Sequence, residues 1–269
     1  MSSGGLHAQT IGPTGPPTDP GRCPRLVLAH GFSQNGRCWG PFARHLARRH
    51  EVVLVDAPGH GLSGHDDADL WESARLLTEA GGTGIYVGYS MGGRTALHAA
   101  LAHPDAVRGL VLIGATPGLT DAGERADRRR ADAELADRLL ELGLPAFLDS
   151  WLALPLFAGL SEAQAARAER LTNRSEGLAA SLRHVGTGQQ EPLWERLHEL
   201  AVPVLAVVGD QDGKFAAIAR RMVDVLDRRS GEPGERPTAE VVTLPGTHAV
   251  HLEQPERSAA EILERIATW

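Results

Sequence analysis

Short apolar runs alternate with longer segments whose apolar residues recur every three to four positions, along most of the chain. The short runs are rich in Val, Leu and Ile and hardly alternate with polar residues, which is typical of parallel strands covered on both faces. The longer segments have the spacing of amphipathic helices. The pattern therefore predicts an α/β fold, with a mostly parallel twisted sheet and helices on both of its faces.

Six strands and five helices are predicted from this pattern. The predicted strands are Arg25–Ala29, Glu51–Val55, Gly84–Gly88, Val107–Ile113, Val202–Val208 and Ala239–Leu244. The predicted helices are Trp39–Arg48, Ala68–Ala80, Met91–Ala102, Phe215–Asp227 and Glu256–Ala267.

One long segment contains no strand. Residues 121–200 carry only helical patterns rich in Ala, Arg, Glu and Leu, and this distance is far longer than an ordinary connection between strands. We expect them to form a helical cap over a core built from residues 25–120 and 201–269. Residues 1–24 are expected to be an exposed lead-in, and the loop Arg228–Pro237 a flexible surface loop, because Gly and Pro are frequent in both.

Composition narrows the functional classes. A chain of 269 residues with 42% hydrophobic content can bury one sizeable core. A net charge of -7 argues against nucleic acid as the main partner, but it does not exclude an anionic small molecule. No signal peptide and no membrane-spanning apolar run is visible. The two cysteines, Cys23 and Cys38, lack metal-binding spacing, so we expect a reduced, cytoplasmic protein without membrane insertion.

The segment Gly88-Tyr89-Ser90-Met91-Gly92 lies between a predicted strand and a predicted helix. Gly-x-Ser-x-Gly in this context predicts a nucleophile elbow, in which a tight turn requires small residues on both sides of a strained serine. The serine then stands at a helix N-terminus, where free N–H groups favour developing negative charge. A glycine-rich turn with an incidental serine is the alternative, because short motifs also match by chance.

A serine nucleophile needs a base and an acid that orients the base, and in an elbow-type fold the chain order is Ser, acid, His. After one predicted strand comes Gly209-Asp210-Gln211-Asp212, and after the next comes Pro245-Gly246-Thr247-His248. His248 is therefore the predicted base of Ser90. Asp212 is preferred as its partner, since the rival Asp210 lies only one residue past a glycine. His251 is interpreted as a packing or surface residue.

Two backbone N–H groups are expected to form an oxyanion hole. One belongs to Met91, which follows the nucleophile, and the other to Phe32 in the loop after the first predicted strand. His30 in that loop is interpreted as structural. Asp56 and His60, which lie in a Pro- and Gly-containing loop after the next strand, are also interpreted as structural.

Together these motifs resemble the α/β-hydrolase superfamily over essentially the whole chain. The motifs are His-Gly-Phe, Asp-x-Pro-Gly-His-Gly, Gly-x-Ser-x-Gly-Gly, Gly-x-x-Asp and a late His.

A narrower resemblance is carried by segments that differ among members. These are residues 88–94, residues 181–190 with the following Leu193-Trp194, residues 212–215, and parts of residues 117–132 and 151–157. They resemble the 2-succinyl-6-hydroxy-2,4-cyclohexadiene-1-carboxylate synthases, which eliminate pyruvate in menaquinone biosynthesis.

The narrower resemblance implies an anionic small-molecule substrate with three carboxylates. The family's carboxylate-binding arginines map onto Arg94, Arg128 and Arg170, with Arg174 as a competitor for the third position. Arginine suits this role because its planar fork pairs with both carboxylate oxygens. A solvated helix face is the alternative for each arginine.

The same resemblance maps Tyr89 and Trp151 onto pocket aromatic residues. It implies that Ser90, made basic by His248 and Asp212, removes a proton beside a carbonyl group, and that pyruvate is then expelled without a metal or an organic cofactor. A carboxylesterase or carbon–carbon hydrolase is the first alternative, since it needs the same triad. A binding protein on this fold that has lost catalysis is the second.

Overall fold

The apolar runs form one seven-stranded sheet in a computed structural model, which describes residues 5–13, 24–228 and 238–269. The spatial order is β1-β3-β2-β4-β5-β6-β7, and every pair is parallel except β1 with β3. The strands are β1 (Ala8–Ile11), β2 (Leu26–Ala29), β3 (Val52–Val55), β4 (Gly84–Tyr89), β5 (Val107–Ile113), β6 (Val204–Gly209) and β7 (Ala239–Leu244). The predicted α/β fold is confirmed, and so are all six predicted strands, to within two residues at each end.

The helices follow the amphipathic segments. They are α1 (Gly40–Leu46), α2 (Leu70–Gly81), α3 (Met91–Ala102), α4 (Ala122–Leu142), α5 (Leu144–Leu152), α6 (Glu162–Ala165), α7 (Arg167–Arg170), α8 (Ser175–Val185), α9 (Gly213–Asp227), α10 (Val250–Glu253) and α11 (Pro255–Ile266). Short 3-10 turns occupy Gly36–Trp39, Pro155–Phe157 and Trp194–Glu199.

Helices cover both faces of the sheet, which explains the continuous apolar runs. In β2, Val27 and Ala29 pack into the core cluster of one face, whereas Leu26 and Leu28 pack into that of the other. Successive side chains of a strand point to opposite faces, so a strand covered twice needs apolar residues throughout. The edge strand β7 departs from this rule, because several of its side chains remain partly or fully exposed.

The expected lead-in over residues 1–24 proves to contribute a strand to the sheet and one core residue, although most of that strand is exposed as expected. Ala8–Ile11 forms β1, which pairs antiparallel with β3, and Leu6 is buried in the core. Three of the four β1 residues are exposed, so no apolar run indicates this strand. The rest of the predicted lead-in is mostly outside the described residues, as is Cys23. Of the predicted loop Arg228–Pro237, residues 229–237 also lie outside the described residues.

The strandless segment contains α4 to α8, and it has a small apolar core of its own. Side chains of α4, α5 and α8 pack there against one another, among them Leu139, Phe147 and Leu178. The end of the segment differs from the expected boundary at residue 200, since Leu193, Leu197 and Leu200 pack into the core of the sheet. None of the helices within the described residues is both long and apolar enough to cross a membrane.

Candidate active site

Ser90 stands at the sharp turn between β4 and α3, with φ 51° and ψ -106°. A positive φ is uncommon for a residue with a Cβ and marks local strain. The backbone N–H of Ser90 donates to the Ile113 carbonyl of the neighbouring strand β5 at 2.8 Å, which ties the turn to the sheet. This is the backbone geometry expected of a nucleophile elbow.

The glycines of the motif permit this turn. A Cβ on Gly88 would lie 2.5 Å from Gly93 Cα, and a Cβ on Gly92 would lie 2.0 Å from the Ala29 carbonyl oxygen. Both distances are far below van der Waals contact, so larger residues would push α3 away from the sheet. The requirement for small residues on both sides of the serine is therefore confirmed.

His248 and Asp212 contact each other directly. His248 Nδ1 lies 2.7 Å from Asp212 Oδ2, and both side chains are largely buried. Asp212 also caps α9, because its Oδ1 accepts a hydrogen bond from the Phe215 N–H. The rival Asp210 is bonded elsewhere: its Oδ1 accepts from the Gly246 N–H at 3.0 Å and so braces the loop that carries the histidine.

Ser90 and His248 line the same cavity. The imidazole packs against Gly114, where a Cβ would lie 2.7 Å from His248 Cε1. Gly114 follows Ile113, whose carbonyl accepts from the Ser90 N–H. Asp212 forms a hydrogen bond with Nδ1 of the ring, so Nε2 is the nitrogen that can accept a proton from a serine hydroxyl.

The two predicted oxyanion donors, Phe32 and Met91, also line this cavity. The N-terminal end of α3 lies directly against the loop that carries Phe32, since a Cβ on Gly92 would come within 2.6 Å of the His30 carbonyl oxygen. Within the part of the chain that the structure describes, neither N–H has a backbone partner. His30 itself is fully buried and its Nε2 accepts from the Ala57 N–H at 3.0 Å, which agrees with a structural role.

The cavity has a volume of about 780 Å³ and lies between the carboxyl ends of the strands and the helices of the cap. Its walls bring together all ten predicted site residues. They are Phe32, Tyr89, Ser90, Met91, Arg94, Arg128, Trp151, Arg170, Asp212 and His248. Ligands of open α/β sheets bind at this end of the strands, and the volume is typical of a small-molecule site.

Arg94 is buried on α3, with 6% of its surface exposed, and its Nη1 has no partner among the described residues. Burial lowers the pKa of its guanidinium to about 10, with nearby Asp132 opposing this effect, so the group is positively charged at neutral pH. Arg128 on α4 is about half exposed and donates from Nε to Asp132 Oδ1 at 2.8 Å. The interpretation of Arg94 as part of a solvated helix face is therefore wrong.

Arg170 and Arg174 are the two candidates for the third arginine of the site. Arg170 is 1% exposed and lines the cavity, whereas Arg174 lies outside it and pairs with Asp66 at 2.7 and 2.9 Å on the surface. The structure thus places Arg170, and not Arg174, at the site.

The two predicted aromatic residues lie on different sides of the cavity. The Tyr89 ring is 5.3 Å from the His248 ring and 4.4 Å from the ring of the fully buried His251. Trp151 lies in the cap, and its ring contacts the Phe32 ring edge-on, with 5.2 Å between the ring centroids. His251 is a packing residue, since burial lowers its pKa well below the ordinary value and keeps the ring neutral.

Asp56 and His60 lie below the site, and their contacts agree with a structural role. Asp56 accepts hydrogen bonds from the backbone N–H groups of Gly36 and Leu62 at 2.7 and 2.9 Å. His60 is fully buried, and burial lowers its pKa to about 3, so the ring is neutral.

Sequence reasoning assigned no role to four charged residues of the cavity wall, which are Asp132, Glu134, Arg138 and Lys214. Asp132 is 2% exposed and stands between Arg94 and Arg128, and burial raises its pKa. Lys214, the only lysine in the chain, lies two residues after Asp212. The use of one lysine among 27 basic residues is a signal that could have drawn attention to this position. Among the described residues, no cluster of His, Cys, Asp and Glu has the arrangement of a metal site.

Comparison with known proteins places the site in context. Residues 26–261 match the model of the alpha/beta hydrolase family. The chain is 36% identical to the 2-succinyl-6-hydroxy-2,4-cyclohexadiene-1-carboxylate synthase of Salmonella schwarzengrund, over 81% of this chain and 86% of that protein. It is also 36% identical to a Bacillus subtilis protein provisionally given the same name, over 86% of this chain and 85% of that protein. The structure of MenH from S. aureus superposes with a TM-score of 0.82 at 27% identity, over 96% of this chain and 97% of that one.

Proposed function

Because this chain belongs to the alpha/beta hydrolase family, we propose that it works as a lyase on that fold and eliminates pyruvate from an enolpyruvyl cyclohexene carboxylate. The product would be the cyclohexadiene carboxylate for which its synthase relatives are named. The observation that supports this proposal most strongly is the set of residues that line one cavity. The side chains of a hydrolase-type triad and the cations Arg94 and Arg128 line the same walls.

In the proposed reaction, His248 is the base and Asp212 holds its Nδ1–H. The imidazole Nε2 takes the Ser90 hydroxyl proton, and Ser90 removes a proton from the ring carbon beside the succinyl carbonyl. The electron pair of the broken C–H bond moves toward that carbonyl, whose oxygen becomes negative. In this proposal, the N–H groups of Phe32 and Met91 donate hydrogen bonds to that oxygen and stabilise its charge.

Collapse of the enolate then forms a new ring double bond and breaks the carbon–oxygen bond to the enolpyruvyl group. The leaving group departs as the enolate of pyruvate and takes up the proton held by the His248 imidazolium, which returns the triad to its starting state. No water enters this sequence, which separates it from ester hydrolysis at the same triad.

The charges of the cavity fit a substrate with several carboxylates. Arg94 offers a buried guanidinium, Arg128 a second that is half exposed, and Lys214 an ammonium at the rim. A charge-assisted bond from a buried arginine to a carboxylate is among the stronger contacts that a site can make. Arg170 adds positive charge to the wall beside Phe32.

The proposal is tested by a coupled assay of pyruvate release. The purified protein is incubated with the enolpyruvyl substrate, and pyruvate is followed through lactate dehydrogenase and NADH. We expect turnover on the order of 1 s⁻¹ or faster, as is usual for enzymes. Rapid cleavage of a simple aryl ester together with no pyruvate release would instead identify a serine hydrolase. Tight binding of the substrate with neither reaction would identify a binding protein.

Arg94→Met is expected to lower kcat/KM for pyruvate release by about 10-fold to 150-fold, mainly through a higher KM. Methionine keeps much of the side-chain volume but removes a buried cation, and a charge-assisted bond to a carboxylate contributes about 1.5–3 kcal/mol. It also leaves Asp132 with less positive charge near it.

Arg174→Met is the matched control for Arg94→Met, because it removes an arginine that pairs with Asp66 outside the cavity. We expect its kcat/KM to stay within about twofold of the wild type, as a surface ion pair contributes little. Equal losses in both variants would contradict the carboxylate-binding role of Arg94.

A further inference from the structure

The guanidinium of Arg170 is held mainly by hydrogen bonds to other residues of the chain. It ends α7 in the cap and is 1% exposed. Its Nε donates to the Ala165 carbonyl at 2.8 Å, and its Nη1 donates to the Ser33 hydroxyl at 2.6 Å. The same Nη1 lies 3.5 Å from the Phe32 carbonyl oxygen. Two of the three guanidinium nitrogens are thus used within the fold.

Ser33 lies in a conformation that needs support. Its φ is 65°, in the left-handed region, and the residue is fully buried. A residue with a Cβ keeps such a conformation only where its surroundings hold it in place. Besides Arg170, the cap residue Asn173 binds it, because Asn173 Nδ2 donates to the Ser33 carbonyl at 2.9 Å.

The neighbouring residues of this loop are held in a similar way. Asn35 Nδ2 donates to the Glu169 carbonyl of α7 at 2.8 Å. Within the loop, Gln34 Oε1 accepts from the Gly31 N–H at 2.9 Å. Residues 31–35 are therefore held by a hydrogen bond within the loop and by hydrogen bonds to cap residues in and just after α7, and Phe32, the proposed oxyanion donor, lies in this loop.

We infer that Arg170 is a positioning residue for the Phe32 amide, which it fixes through Ser33, and that its direct contact with substrate is secondary. This inference rests on the proposed oxyanion hole. A donor stabilises the developing charge only when it lies about 2.7–3.1 Å from the oxygen, so a small shift of the loop weakens the transition state more than the ground state. Loss of Arg170 then lowers kcat, whereas loss of a carboxylate ligand such as Arg94 raises KM.

Ser33→Ala separates the two roles, because it removes the hydroxyl that receives Arg170 and leaves the cation in the cavity wall. We expect Ser33→Ala and Arg170→Met each to lower kcat for pyruvate release by about 10-fold to 100-fold, with KM within about threefold of the wild type. The double variant should be no slower than Arg170→Met alone, since both changes break the same contact.

Arg167→Met is the matched control. Arg167 begins the same helix but is about two-fifths exposed and pairs with Asp149 on the surface, so both constants should stay at the wild-type values. Thermal unfolding of each variant checks that it is folded, and Ser33→Ala carries the test alone if Arg170→Met does not fold.

A Ser33→Ala variant with wild-type kcat, beside an Arg170→Met variant with a strongly raised KM, would overturn the inference and make Arg170 a direct ligand of the substrate. The wild type in the same assay keeps this result separate from the proposed function. If the wild type releases no pyruvate, the proposed function fails. If the wild type is active and Ser33→Ala is equally active, only the role of Arg170 fails.

Discussion

Ser90→Ala is expected to lower kcat for pyruvate release by at least about 10⁴-fold, the largest loss among the variants considered. In hydrolases with this triad, removal of the serine costs about 10⁶-fold in kcat. Alanine keeps the Cβ and tolerates the backbone about as well as serine, so the elbow at φ 51° should persist. The loss therefore reports the missing hydroxyl, which the proposed mechanism uses to take the ring proton.

Ser150→Ala is the matched control for this variant. Ser150 lines the same cavity, but its hydroxyl donates to the Phe147 carbonyl one turn earlier in the cap. We expect a rate within about twofold of the wild type, because the bond is local and partly exposed. A Ser90→Ala variant that keeps more than about a tenth of the wild-type rate would mean that His248 takes the proton without the serine.

The strands could be predicted from the sequence where burial on both faces of the sheet requires apolar side chains at nearly every position. Strands β2 to β6 are covered on both faces, so they appear as apolar runs, interrupted only by the exposed Arg108 near the start of β5. Strand β1 has no such signature. It is held mainly by backbone pairing with β3, and backbone hydrogen bonds do not depend on the side chains at these positions.

The catalytic residues could be predicted because a tight glycine-containing turn marks the serine and because the acid and the histidine follow it in a fixed order along the chain. The elbow was visible because no residue larger than glycine fits at positions 88 and 92. Asp212 was preferred to Asp210 from its distance along the loop, and the structure brings Asp212 to the histidine. The assignment of roles to these side chains stays a proposal until variants are measured.

Contacts between residues far apart in the chain were beyond sequence reasoning. Arg170 and Ser33 are 137 positions apart, and only the packing of the cap on the core brings them together. The position of Asp132 between two arginines likewise depends on how α4 lies over α3. Taken alone along the chain, Arg170 and Asp132 have the pattern of ordinary charged positions on helices.

Asp212→Asn is expected to lower kcat by about 10⁴-fold, the loss seen when the acid of such a triad becomes an amide. The reason is that Asp212 makes two contacts, one with the Phe215 N–H at the start of α9 and one with His248 Nδ1. Asparagine caps a helix as well as aspartate does, so its oxygen should continue to accept from the Phe215 N–H. Its NH₂ group then faces His248 Nδ1, which must act as an acceptor. The ring proton moves to Nε2, and this nitrogen can no longer take the proton of Ser90.

Asp210→Asn makes the same change of charge two residues earlier and should leave kcat within about threefold of the wild type. The asparagine oxygen can still accept from the Gly246 N–H and hold the histidine loop. Steady-state rates of both variants at pH 7, with thermal unfolding to verify folding, decide between the two acids. If Asp210→Asn lost activity and Asp212→Asn kept it, the contact between Asp212 and His248 would be structural, and the orientation of the base would depend on Asp210 through the loop.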